Sequence, residues 1–175
     1  MKSGIIRRVD DLGRIVIPKE MRRYLRIKEG DPLEISIADN GVLLEKFVPI
    51  YEFKRQAKIY LYTFFEQFHL PIVLCDGHEM IASEGLAVAV GSRLSDSLEP
   101  HIKEGTEYIR TSDENKVALV EEQAIHVDAV IPIIAGDVIM GSLVLIQQTD
   151  GLPVEEHIQC TRFLAKLIAS QMEPE

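Results

Sequence analysis

The sequence has no tryptophan and only two cysteines, Cys75 and Cys160, in 175 residues. Two distant thiols, with no CxxC and no histidine at ligand spacing, offer neither a disulfide framework nor a zinc site. Reduced thiols in a cytoplasmic protein are the simple expectation. No apolar run nears the roughly 20 residues needed to cross a bilayer. No signal-peptide core follows Met1, so no membrane partner is expected. His69, His78, His101, His126 and His157 are scattered, without an HxxxH or HExxH arrangement, and read as surface or packing residues. Gly85 and Gly91 lack the rest of a phosphate-binding loop. No catalytic set, metal site or cofactor is therefore expected, any cofactor-binding residue is left unknown, and an enzyme is the least supported class.

What the sequence does have is an uneven distribution of charge. From Met1 to Gly30 there are nine basic residues (Lys2, Arg7, Arg8, Arg14, Lys19, Arg22, Arg23, Arg26, Lys28) and four acidic ones, giving 9 − 4 = +5. The whole chain carries −9, so everything after Gly30 sums to −9 − 5 = −14. A positive head on an acidic body points to a polyanion as the partner of the head, and double-stranded DNA is the expected one.

The head reads as four short strands and a short helix. Ile5, Ile6 and Val9 suit a strand, Asp10-Asp11-Leu12-Gly13 a turn, and Arg14 to Ile17 a second strand. Pro18 suits the first position of a helix over Lys19 to Leu25, with Met21 and Leu25 on one face and Lys19, Arg22 and Arg23 on another. Leu33, Ile35 and Ile37 alternate with polar residues as a half-buried strand. Asp39-Asn40-Gly41 is a hairpin turn, and Val42 to Phe47 returns. So short a unit cannot bury enough apolar surface alone, since domains below about 60 residues are marginal. With no disulfide or metal to help, an obligate dimer is expected.

The string GIIRRVDDLGRIVIPKEMRRYLRIKEGDPLEI resembles the swapped-hairpin DNA-binding domain of AbrB-type transition-state regulators. The resemblance implies an interleaved β-barrel dimer with arginines aimed at DNA. The family's DNA-contacting arginines match Arg7, Arg14, Arg22 and Arg23, and Arg8 occupies a position also basic in relatives. With Lys19 from the helix, the expected DNA-binding set is Arg7, Arg8, Arg14, Lys19, Arg22 and Arg23. Arg can grip phosphate with a planar fork or reach guanine edges. The neighbouring Arg22 and Arg23 cannot both turn inward without burying unpaired charge. Asp10-Asp11 reads as a turn that positions Arg14, not as a catalytic pair. No helix in the head is long enough for helix-turn-helix docking, so phosphate positioning and DNA deformability are expected to dominate.

The boundary is expected at Val48-Pro49, giving a head of 1–48 for DNA binding and dimerisation and a body of 49–175 for regulation or oligomerisation. In the body, Ile50, Phe53, Ala57, Tyr60, Phe64 and Phe68 form a helical stripe, widened by Leu61 and Phe65. It suits packing within the domain, a dimer seam, or both. Ile72 to Cys75 and Glu79 to Ala82 read as a hairpin, and Leu94 to Lys103 as a helix. Glu107 to Arg110 and Val117 to Val120 read as short strands. Val127 to Ile134 and Val138 to Ile146 form the strongest hairpin, and a last helix follows Asp150. This is an α+β plan. It is similar to a GAF domain, a sensory fold with an antiparallel sheet and flanking helices. That resemblance implies a possible small ligand on the sheet and helices that pair with a second copy, giving a homotetramer when head and body use different partners. Cys75 is expected to be buried and inert.

The leading expectation is a bacterial transcriptional regulator, cytoplasmic and nucleoid-associated. The two-domain plan is similar to the sporulation-linked branch of the AbrB-type family. An antitoxin-like interaction module is disfavoured because the body looks folded. A sensor without DNA binding is disfavoured because the arginines are all present.

Overall fold

The computed structural model describes residues 5–25, 27, 29, 33–38, 41–46, 49–112, 114, 116–121, 123–148 and 151–172. The chain divides into two compact units, Met1–Phe47 and Val48–Glu175.

In the first unit, residues 10–13 form the expected turn. The amide of Asp10 bonds the carbonyl of Arg14 at 3.1 Å, and the amide of Gly13 bonds the carbonyl of Asp10 at 3.1 Å. Gly13 takes a φ of +77°, a left-handed conformation that glycine adopts without steric cost. The segments on either side, 5–9 and 14–17, were expected as strands, yet they have no ladder partner among the described residues. A strand exists only through pairing, and these segments show none among the described residues. Helix α1 (Lys19–Tyr24) follows Pro18 as expected. Strands β1 (Leu33–Ala38) and β2 (Gly41–Lys46) pair antiparallel, Ala38 opposite Gly41. The connecting Asp39-Asn40 turn lies outside the described residues, as do Gly30-Asp31 and Val48. Ile35 and Ile37 alternate along β1 as the pattern requires, but both are exposed rather than half-buried.

The second unit is α+β, as expected. Helix α2 (Pro49–Phe68) precedes β3 (Ile72–Cys75) and β4 (Met80–Glu84). Then come α3 (Glu99–Lys103), β5 (Tyr108–Ile109), β6 (Val127–Ala135), β7 (Val138–Ile146) and α4 (Glu155–Ser170). The strands form one antiparallel sheet in the order β4-β3-β7-β6-β5. Successive residues of β3 and β7 enter cores on opposite faces. Leu74, Leu143 and Leu145 meet the aromatic stripe of α2 and the apolar face of α4. Val73, Cys75, Val144 and Ile146 meet Leu98 and Ile102 from the α3 side, with Val88 and Leu119 from the loops. Burial on both faces is why these strands read as continuous apolar runs rather than as alternation.

Gly141 shows how close the strands come. A Cβ there would run into the carbonyl oxygen of Cys75 on β3. The expected helix over Leu94 to Lys103 is shorter, beginning at Glu99 with Pro100 in its first turn. Ser95 competes for the preceding backbone: its Oγ accepts from the Leu98 amide at 3.1 Å and donates to the Ala118 carbonyl at 2.6 Å. The expected strand over Val117 to Val120 reduces to a single bridge, Ala118 opposite His126. On α4, Ile158, Leu164, Ala165 and Ile168 are buried, whereas Val154 precedes the helix and is exposed. Among the described residues, no helix is long and apolar enough to cross a membrane.

Candidate nucleic-acid interface

Each basic residue of the expected set sits on an element whose local chemistry leaves it outside. Arg7 and Arg8 lie on the unpaired segment before the turn and are exposed. Arg14 leaves the turn immediately after Gly13. Its backbone amide donates to Asp10 Oδ1 at 2.8 Å and its Nε to Asp10 Oδ2 at 2.8 Å. The Leu12 amide also donates to Asp10 Oδ1, at 3.0 Å. One carboxylate therefore closes the turn and aims the guanidinium, the positioning role expected of Asp10. The bonds from the Arg14 backbone and side chain hold the Asp10 carboxyl below the usual aspartate value. Arg14 itself stays largely open to solvent.

Lys19, Arg22 and Arg23 project from α1 and are all exposed. The helix starts because Pro18 fixes φ at −57° and its carbonyl accepts the Arg22 amide at 3.0 Å. Glu20 in the first turn and Arg22 and Arg23 in the last both oppose the helix dipole favourably. For Arg7, Arg8, Lys19, Arg22 and Arg23 no ion pair is found among the described residues. Arg26 and Lys28 fall outside those residues. The structure thus places all six cations of the set on one unit, flanking one turn and one helix, with Arg14 alone braced by an acid among the described residues.

That unit has a second property. α1 buries none of its residues. Ile6, Val16, Ile37 and Val42 stand between 72% and 93% exposed, in company with Ile5, Val9, Leu12, Ile15, Tyr24 and Ile35. Apolar exposure on this scale is unusual for a soluble domain that stands alone.

The body holds polar groups that the sequence did not single out. Arg110, 1% exposed, donates from Nε to Asp128 Oδ1 at 2.8 Å and from Nη2 to the Gly151 carbonyl. This pair ties β5, β6 and the approach to α4 together. Its signal was absent from sequence because the partners are distant in the chain. Cys75 is fully buried, and desolvation with the nearby Asp76 charge pushes its thiol well above the ordinary value. His78 Nδ1 meets Glu99 Oε1 at 2.8 Å, the His101 ring lies tilted against Tyr108, and the His157 ring meets Phe68 edge-on, so these histidines do pack. Among the described residues, no three His, Cys, Asp or Glu side chains are grouped to hold a metal.

Comparison with known proteins follows the same division. Residues 6–49 match the family described as antidote-toxin recognition MazE, bacterial antitoxin. Residues 52–173 match the family described as stage V sporulation protein T C-terminal, transcription factor. The transition state regulatory protein AbrB of Bacillus subtilis (strain 168) is 56% identical over 50 residues, 28% of this chain and 52% of the relative. A type II free methionine-R-sulfoxide reductase from Thermoplasma acidophilum shares 16% identity, with a TM-score of 0.56 over 70% of this chain and 94% of that one. At that identity the likeness concerns the fold alone. Stage V sporulation protein T of Bacillus subtilis (strain 168) is 35% identical, spanning 98% of both chains. The chain belongs to the stage V sporulation protein T family of transcription factors.

Proposed function

We propose that this chain regulates transcription by binding double-stranded DNA through a dimeric head, residues 1–48, while residues 49–175 tune or assemble the regulator. It acts as a sporulation or growth-transition regulator and not as an enzyme. Arg7, Arg8, Arg14, Lys19, Arg22 and Arg23 carry the DNA contact. The observation that carries this reading is the coincidence, on one small unit, of exposed cations with apolar residues that lack a core. A second copy supplies the missing core and doubles the cationic surface. A second dimer contact through the body helices completes a homotetramer. Association with the nucleoid follows from DNA binding.

The match of the head to an antitoxin family favours a second reading, in which the head serves mainly to engage another protein. A folded body of this size argues against it, because capture of a partner by wrapping needs an extended tail. The deciding experiment is a duplex titration at several salt concentrations with Arg7, Arg14, Arg22 and Arg23 replaced by Ala in turn. Each phosphate contact removed lowers the log–log salt slope by about 0.9. Loss of slope in each variant with the fold intact supports the DNA reading, and unchanged binding in all four overturns it.

A further inference from the structure

The first helix of the acidic body has an outer face of the opposite sign. With about 3.6 residues per turn, Tyr51, Lys54, Arg55, Lys58 and Tyr62 fall within roughly 100° of the circumference of α2. They stand clear of the buried stripe of Ile50, Phe53, Ala57, Leu61 and Phe64. Lys54 is half-buried and the other four are exposed. From Phe53 to Phe65 the helix holds three cations and no acid, whereas the rest of 48–175 holds six basic and twenty acidic residues, 6 − 20 = −14. Among the described residues, none of the three cations has an ion pair or a side-chain hydrogen bond.

Helix stability does not ask for this distribution. A solvated helix face usually carries both signs, paired three or four residues apart. Lys54 and Lys58 are instead like charges at that spacing and repel each other. The last turn of α2, where the helix dipole favours a cation, has none. A polyanion laid along the ridge relieves the repulsion. The ridge also leans to the open edge of the sheet: Tyr51 donates to Glu79, just before the outer strand β4, and the Phe65 ring lies against Gly85, just after it. α4 lies over β6 and β7 instead, so the flank of α2 nearer α4 is left for a second copy. Only two residues separate the end of β2 at Lys46 from the start of α2 at Pro49, so the ridge is tethered to the head by a short run of chain. Lys58 is nine residues further on, about 14 Å along the helix axis, less than half of the roughly 34 Å repeat of duplex DNA.

We infer that Lys54, Arg55 and Lys58 form a second phosphate-binding surface, which holds the backbone of the duplex beside the stretch that the head grips. The inference rests on the DNA reading of the head and extends the contact onto the first helix of the body. The test uses the full-length protein and a mixed-sequence duplex of about four helical turns, roughly 40 base pairs, titrated at several salt concentrations. Lys54→Gln/Arg55→Gln/Lys58→Gln should lower the log–log salt slope by about 2.7 for each α2 engaged, at about 0.9 per phosphate. Its affinity should fall by the same factor on every duplex sequence, since phosphate contacts carry no sequence information. The charge-conserving Lys54→Arg/Arg55→Lys/Lys58→Arg should keep the parental slope. In the unaltered protein, bound duplex should shield Lys58 from acetylation and leave Lys166, exposed on α4, as reactive as before. A parental slope in the Gln variant, or no shielding of Lys58, overturns the inference. A lower particle mass in the Gln variant does so too, because the ridge would then seat the acidic surface of a second copy. The head reading is judged separately, by Arg14→Ala and Arg22→Ala on the same duplex, and stands if these lose binding whatever the α2 variants do. An unaltered protein that binds no duplex overturns both.

Discussion

Adjacent residues on β7 make opposite demands on their side chains. Gly141 faces the Cys75 carbonyl so closely that no Cβ fits, and its φ of +156° lies outside the range that L side chains readily adopt. The obstacle is backbone in the middle of the sheet, so it cannot swing aside. Gly141→Ala should cost about 3 kcal/mol, at the upper end of what overpacking usually costs, read as a lower urea midpoint. Ser142 is the reverse case. It is fully buried opposite Cys75 and Pro132, and its Oγ has no hydrogen-bond partner among the described residues. Removing a desolvated, unpaired hydroxyl forfeits no bond, so Ser142→Ala should be neutral or stabilise by up to about 1 kcal/mol. A loss above 1 kcal/mol in Ser142→Ala would show that the hydroxyl has a bound partner in solution.

At the scale of elements, the outer strand β5 and the helix α4 are joined by charge as well as by core. Arg162 on α4 donates from Nε to Glu107 Oε2 at 3.1 Å, with a second bond from Nη2, and from Nη1 to Glu155 at 3.2 Å. The Arg162 bond, offset in part by desolvation, holds the Glu107 carboxyl below its ordinary value of 4.5. A carboxylate lowered by folding stabilises the native state above its ordinary value, and that contribution is lost as pH falls through the lowered one. Arg162→Ala should therefore cost under about 1 kcal/mol at neutral pH, given the solvent exposure of the cluster. The difference from the parent should close in acid, and urea midpoints at neutral and acid pH check both statements. Elements of this length were legible in the sequence because their periodicity is strong: α2, α4 and the β6–β7 hairpin follow their stripes and runs. The strands around the first turn were not, since pairing is a property of partners and not of residues 5–9 or 14–17. The turn before α3 was misread as helix because Ser95 satisfies its backbone with a side-chain oxygen. The cations of the head were legible as composition. The Arg110–Asp128 pair was not, because only the fold lays the end of β5 against β6.

For the whole molecule, the decisive asymmetry is that one unit has two cores and the other shows none among its described residues. Among the described residues before Pro49, only Pro18 is buried. Ile37 is 90% exposed in the single chain. If the head were complete as a monomer, Ile37→Asp would be an ordinary surface change, within about 0.5 kcal/mol of neutral, with DNA binding retained. If two heads interleave, the same carboxylate is buried without a partner in the shared core, a cost the small unit cannot absorb. We therefore expect full-length Ile37→Asp to lose duplex binding although every arginine is intact. The thermal transition of the body should persist, because none of its core residues is touched. Sedimentation should show the particle mass halved, from the proposed tetramer to a dimer held by the body. Retention of both duplex binding and the parental mass would mean that the apolar face of the head is not where two chains meet.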